Sequence, residues 1–257
     1  AALSFQQPFR PAIQFKDVSF RYPDAEEDVL HGINFSVQPG QTVGIIGTTG
    51  SGKSTVVNLI PRFYDVTGGA ILVDGVDVRQ VRMADLRQRI GYIPQQSNLF
   101  SGSVESNLQF AEEGADETAM RQALEIAQAS EFVFSGEQGL AAEVSQGGSN
   151  FSGGQKQRLS IARALVKQAP IYIFDDSFSA LDYKTDAALR RAIHQKLGNS
   201  TVFIVTQRVA TIKSADLILV LDEGRIIDQG THHQLMERCE VYREIALSQI
   251  SQAEALA

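Results

Sequence analysis

The sequence predicts an α/β fold on a largely parallel central sheet, and three observations predict it. Short β-branched runs alternate with stretches of helical periodicity; the runs are near-continuously apolar, as strands buried on both faces require; and between Gln95 and about Lys167 the strands give way to helical patterns. In chain order, residues 1–12 carry Pro and Gln, start without Met and read as the cut end of a linker, so the folded domain is expected over 13–250. IQFKDVSF, TVGIIG, AILVDG and RIGYIP are the early strands. ETAMRQALEIAQA and QKQRLSIARALV carry apolar residues at helical spacing and predict a helical subdomain over about 96–165, inserted into the connectivity of the sheet. PIYIFDD, STVFIVT and DLILVLDEG return the chain to strands, and the Glu-Gly of VLDEGRII marks a turn between two late ones. HHQLMERCEVYREIALSQI closes the chain as helices, with 251–257 expected to fray.

Composition narrows the partners. In 257 residues, 30 acidic against 23 basic side chains leave a net charge of −7, without the concentrated basic face that phosphate backbones require, so no nucleic-acid partner is expected. No apolar run approaches the ~20 residues needed to span a bilayer. The single cysteine, Cys239, can form no internal disulfide and reads as inert packing. His31, His194, His232 and His233 are scattered, so no metal site is expected from them.

GTTGSGKST, residues 47–55, lies between the strand TVGII and the helical VVNLI. Gly47, then four residues, then Gly52-Lys53-Ser54 is the Walker A spacing in its strand-loop-helix setting. Glycines turn backbone N–H groups inward on phosphates, Lys53 reaches the β and γ oxygens, and Ser54 is a Mg²⁺ ligand. The loop Gly47, Thr48, Thr49, Gly50, Ser51, Gly52, Lys53, Ser54 and Thr55 is therefore expected to bind a nucleoside triphosphate. A second anion cradle opens at FSGGQKQR, where Ser152, Gly153, Gly154 and Gln155 begin the helix LSIARALV.

With these two motifs the chain resembles the nucleotide-binding domain of an ABC transporter over about residues 13–248. The resemblance implies a P-loop (RecA-like) core, an N-terminal antiparallel β region, and ATP and Mg²⁺ as cofactors. FSGGQ resembles the family signature and IYIFD the Walker B strand, which makes Asp175 a Mg²⁺ ligand. Gln95 in YIPQQ resembles the Q-loop glutamine that meets metal and attacking water. SALD, ending at Asp182, resembles the D-loop, and Tyr22 in FRYP the aromatic that stacks on adenine. QQSNLFSGSVESNL and ATIKSADLILVLDEGRIIDQGTHHQL resemble the exporter branch, in which this domain follows a transmembrane domain on one polypeptide at the cytoplasmic face of the cell membrane. That branch favours multidrug export.

Two positions depart from the family pattern. The glutamate expected after Asp175 is Asp176, one methylene shorter, and the switch histidine expected after STVFIVT is Gln207. A carboxylate withdrawn by about 1 Å costs on the order of a hundredfold in rate. Glutamine can donate to a γ-phosphate but carries no imidazolium charge. AEVSQGGSN resembles the X-loop but lacks its Gly-Glu-Arg. Family ATPases act as head-to-tail dimers, so the expectation is a heterodimer with a second ABC half-transporter. This chain's Walker half would turn over slowly, and its intact FSGGQ would serve the partner's site. The alternatives are a homodimer with slow but real hydrolysis, a non-transport ABC ATPase in DNA repair or translation, and a regulatory nucleotide-binding module. The absence of coiled-coil insertions argues against the second, and Gln95 with SALD against the third.

Overall fold

The computed structural model describes residues 1–256, with side chains described over residues 1–251. In chain order the elements are β1 (Ile13–Phe20), β2 (Leu30–Val37), β3 (Thr42–Gly47), α1 (Lys53–Asn58), β4 (Gly68–Val73), β5 (Val76–Asp77), α2 (Met83–Arg87), β6 (Ile90–Ile93), β7 (Gly102–Ser103), α3 (Val104–Gln109), α4 (Glu117–Ile126), α5 (Ser130–Phe134) and β8 (Glu143–Val144). They continue as α6 (Gly153–Leu165), β9 (Ile171–Asp175), α7 (Tyr183–Lys196), β10 (Thr201–Val205), α8 (Val209–Ile212), β11 (Leu217–Asp222), β12 (Arg225–Gly230), α9 (His232–Arg238) and α10 (Glu240–Leu256). They form two compact units: residues 1–90, 170–175 and 199–257 make the first, residues 91–169 and 176–198 the second.

The first unit carries two sheets. The smaller is antiparallel in the order β2-β1-β4-β5. It is the expected N-terminal β region, and it takes in IQFKDVSF and AILVDG as well as β2 and β5, which the apolar-run reading passes over. In β1, Asp17 sits at φ 48 and its N–H donates to Asn34 Oδ1 at 2.8 Å, while the register shifts between Phe15 and Val18. This is a bulge that keeps Phe15, Val18 and Phe20 all buried. The larger sheet runs β12-β11-β3-β10-β9 within the first unit, and its remaining strand, β6, is where the chain crosses from the first unit to the second. β10 pairs in parallel with both β3 and β9, and β11 in parallel with β3. Every residue of β9 and β10 is buried, which accounts for their apolar runs IYIF and VFIV. β12 returns antiparallel to β11 through Glu223 (φ 47) and Gly224 (φ 74), two left-handed residues as a tight hairpin turn demands.

Residues 1–12 pack on this unit. Leu3 bridges Val81, the Arg89 guanidinium lies over the rings of Phe5 and Phe9, and Phe5 is buried. Thr201 Oγ1, at the start of β10, donates to Pro11 O at 2.6 Å and accepts from Gly40 N at 3.1 Å. At the other end, Thr231 caps α9 through a reciprocal bond with Gln234, so THHQL is a helix entry, and Cys239 is buried. α10 runs through Leu256; the tail expected to fray over 251–257 lies mostly outside the described side chains, and Ala257 lies outside the described residues.

The second unit holds α3 to α7 around buried Leu108, Met120, Leu124, Leu159, Ile161 and Leu189. Beside the helices read over about 96–165, this unit has two further features. A short antiparallel pair, β7 with β8, stands within it, and α7, although it follows β9 in sequence, belongs to this unit. Pairs of two residues carry no periodicity, so they leave no mark in a sequence pattern. Among the described residues, no helix is long and apolar enough to cross a membrane.

Candidate nucleotide site

The Walker A loop grows out of β3. Gly47 is buried, and a Cβ there would stand 2.2 Å from Leu221 O, so only glycine fits. The loop turns through Gly50 (φ 77) and Gly52 (φ 96), conformations that favour glycine. Its walls are pinned: Ser51 N donates to Thr48 O at 3.1 Å, Gly224 N donates to Ser51 O at 3.0 Å, and Thr48 Oγ1 donates to Asp222 Oδ1 at 3.3 Å. Thr49 is exposed at the tip. Lys53 Nζ donates to Gly47 O at 2.9 Å and Thr48 O at 3.1 Å, so its ammonium lies across the mouth of the loop. Ser54 Oγ donates to Asp175 Oδ1 at 2.7 Å, which joins Walker A to the end of the Walker B strand. Thr55 and Tyr22 share a hydroxyl hydrogen bond of 2.7 Å, and the Tyr22 ring stands edge-on to Phe20 and Tyr64, with centroids 4.8 and 5.1 Å away.

These groups fit a magnesium nucleotide. α1 begins at Lys53 with no side chain capping it, and a helix start is a setting that favours phosphate. Ser51 Oγ is buried and, among the described residues, has no hydrogen-bond partner. Among the same residues no three His, Cys, Asp or Glu side chains gather as a metal cage. A cation beside Ser54 and Asp175 would take its other oxygens from phosphates and water, the usual mode of Mg²⁺.

Gln207 also belongs to the first unit. It follows β10, its side chain is exposed, and its carbonyl accepts from Gln249 Nε2.

The second unit carries the remaining predicted residues. Gln95 Nε2 donates to Asp176 Oδ2 at 3.1 Å, and Asp176 sits at φ 53. Ser152 caps α6: its Oγ accepts from Gln155 N at 3.2 Å, and Gln155 Oε1 accepts from Ser152 N at 3.0 Å. This capping box fixes where the helix starts, at Gly153 and Gly154. A Cβ on Gly154 would come within 3.2 Å of Ala180 O, so the signature glycine permits the D-loop to lie against the helix. Gln157 fastens the two, donating to Ser179 Oγ at 3.2 Å and accepting from Ala180 N at 2.9 Å. Asp182 caps α7 through Thr185 N at 2.7 Å and Thr185 Oγ1 at 3.1 Å, and these bonds, the backbone one foremost, hold its carboxyl below the usual range.

Sequence reasoning did not single out Gln157, Tyr64 or Gln249. Gln157 lies two residues past the motif whose fastening it is, and its role shows only once the D-loop is seen beside it. Tyr64 and Gln249 have no local signal.

The family model for ABC transporters matches residues 30–179, more than half of the chain. The chain is 47% identical over 240 residues to an uncharacterized ABC transporter ATP-binding protein of Mycobacterium tuberculosis, covering 92% of the chain and 41% of that protein. It is 43% identical over 224 residues to the beta-(1→2)glucan export ATP-binding/permease protein NdvA of Rhizobium johnstonii, at 87% and 38% coverage. It is 41% identical over 244 residues to the ATP-dependent lipid A-core flippase of Xanthomonas oryzae pv. oryzae, at 95% and 41% coverage. A solved structure of a bacterial Atm1-family ABC exporter with ATP bound superimposes with a TM-score of 0.92 at 37% identity, covering 97% of this chain and 44% of that one. The chain thus spans about two fifths of the length of the curated relatives it matches. A family model matched over more than half of the chain, and relatives more than 40% identical over most of it, show that the chain belongs to the ABC transporter family of ATPases.

Proposed function

We propose that this chain is the ATP-driven domain of an exporter at the cytoplasmic face of a membrane, and that its own Walker site binds ATP firmly but hydrolyses it slowly. Tyr22 and residues 47–55 hold the nucleotide; Ser54, Gln95 and Asp175 hold Mg²⁺; Asp176, Gln207 and Gln95 act on the γ-phosphate. Ser152, Gly153, Gly154, Gln155 and Asp182 complete the ATP site of a second half-transporter. The observation that carries the slow-site reading is the state of Asp176. Its carboxylate is a methylene shorter than the glutamate of the family pattern and is engaged by Gln95 Nε2 at 3.1 Å. Gln207 supplies no positive charge to offset that.

The transmembrane domain is supported by relatives that join export or flippase functions to an ATP-binding region in chains more than twice as long. Their named cargoes are a lipid A-core and a β-glucan, so a glycan-bearing cargo stands beside the multidrug expectation. A heterodimer follows from the asymmetry between an intact signature and an altered catalytic pair. ATP held at the slow site bridges two subunits and favours their closed arrangement, because the bridging contacts exist only there.

The test is the steady-state ATPase of the chain before and after joint replacement Asp176→Glu and Gln207→His. The pair should raise kcat by about tenfold or more with ATP affinity unchanged. No increase, with binding intact, sinks the slow-site account; brisk turnover by the unaltered chain favours the homodimer.

A further inference from the structure

Gln249, on α10, grips the main chain of the segment that carries Gln207. Its Nε2 donates to Gln207 O, and its Oε1 accepts from Val209 N at 2.8 Å, so one side-chain amide spans both sides of Arg208. The same segment is tied by Thr206 N to Ile45 O at 3.1 Å and by Arg208 N to Thr206 Oγ1 at 3.0 Å. α8 starts at Val209 behind an Arg208 that provides no side-chain cap, and the first N–H of a helix has no acceptor within it. The acceptor arrives from a residue far along the chain. Gln249 is set in place by Tyr242 and Ala246, both buried; at spacings of four and three residues the three share one face of α10.

The chemistry of the grip is specific. A carboxamide donates at one end and accepts at the other, which the Gln207 carbonyl and the Val209 N–H require together. An ionised carboxylate in its place only accepts and would face the carbonyl with negative charge. A protonated one regains the donor.

We propose that Gln249 is a positioning residue for ATP hydrolysis: by fixing the main chain on both sides of Arg208 it sets the direction of the side chain at position 207, and so couples the docking of the C-terminal helix to turnover at the Walker site. This rests on the reading that residue 207 serves the γ-phosphate. It adds that β10 alone does not fix that residue, and because the grip is on main-chain atoms it serves glutamine or histidine alike. The nucleotide is held by residues 47–55, so loosening 207 should slow chemistry and spare affinity.

The experiment compares Gln249→Ala and Gln249→Glu in the full chain, in both the unaltered sequence and the Asp176→Glu, Gln207→His background. Expected for Gln249→Ala are a roughly tenfold lower kcat in that background with KM for ATP unchanged, and faster amide exchange at Val209 in both sequences, with β3, β9 and β10 still protected. For Gln249→Glu, kcat relative to its parent should match Gln249→Ala at pH 8 and rise toward the parent as pH falls toward the ordinary glutamate range near ~4.3, whereas the alanine variant's ratio stays flat. Unchanged exchange at Val209, or a parental kcat in both variants at every pH, overturns the proposal. A doubly replaced parent that hydrolyses no faster than the unaltered chain is a failure of the slow-site reading instead, and the grip then stands or falls on the exchange at Val209.

Discussion

Asp176 is under two demands at once. Its φ of 53 lies in the left-handed region, where an ordinary L-residue is penalised by about 1–2 kcal/mol and aspartate less, because its short polar side chain bonds locally. Its carboxylate also accepts from Gln95 Nε2, 81 residues away in the chain. Glutamate carries its carboxylate one bond further out and gives up part of that local compensation. Asp176→Glu alone is therefore expected to lower stability by roughly 1 kcal/mol, a Tm drop of about 2–4 °C in thermal melts. The identity of such residues was legible in the sequence because motif spacing fixes Gly47, Lys53, Ser54 and Asp175. The backbone strain at Asp176 was not, since nothing in DDSF distinguishes a left-handed aspartate from an extended one.

α9 and α10 are joined by a polar contact inside an apolar seam. His232 Nδ1 and Tyr242 Oη lie 2.7 Å apart, and burial pushes the Tyr242 hydroxyl up to about 12. Burial, with Lys213 and His233 adding to it, lowers the His232 imidazole below its ordinary value. The unfolded chain takes up a proton at His232 near pH ~6.5 while the folded chain resists it, so the unfolded state binds more protons below that pH. Stability should fall as pH drops through about 6.5. Urea melts at pH 7.5 and 5.5 are expected to differ in that direction, and His232→Gln to flatten the difference. The helix pattern of this segment was plain from its spacing; the service its last turns render to α8 was not, because capping by a residue forty positions away has no local signature.

Across the molecule, the predicted alternation of strands and helices is realised in two units, and the sequence order of elements hides how they are shared. β9 and β10 flank α7 in the chain yet belong with the first unit while α7 belongs with the second. Periodicity reports an element's type, and partition among units depends on contacts it does not encode. Among the proposed nucleotide ligands the whole of Walker A and Asp175 fall in the first unit, so Mg²⁺-ATP should stabilise the chain through it. At ~100-fold excess over Kd the gain is about 2.7 kcal/mol, readable as a rise in Tm. Lys53→Ala should erase most of that rise while leaving the unliganded melt nearly unchanged, and an undiminished rise would remove Lys53 from the site. The joint of Thr201 with Pro11 also has a mechanical meaning. Tension applied along residues 1–12 is delivered to the first residue of β10. A strand held on both edges by parallel ladders is stiff along its length, and about 13 Å further on, at ~3.3 Å per residue, it ends at Val205, two residues before Gln207. A pull on residues 1–12 is therefore expected to reach the segment that carries Gln207, the residue proposed to serve the γ-phosphate.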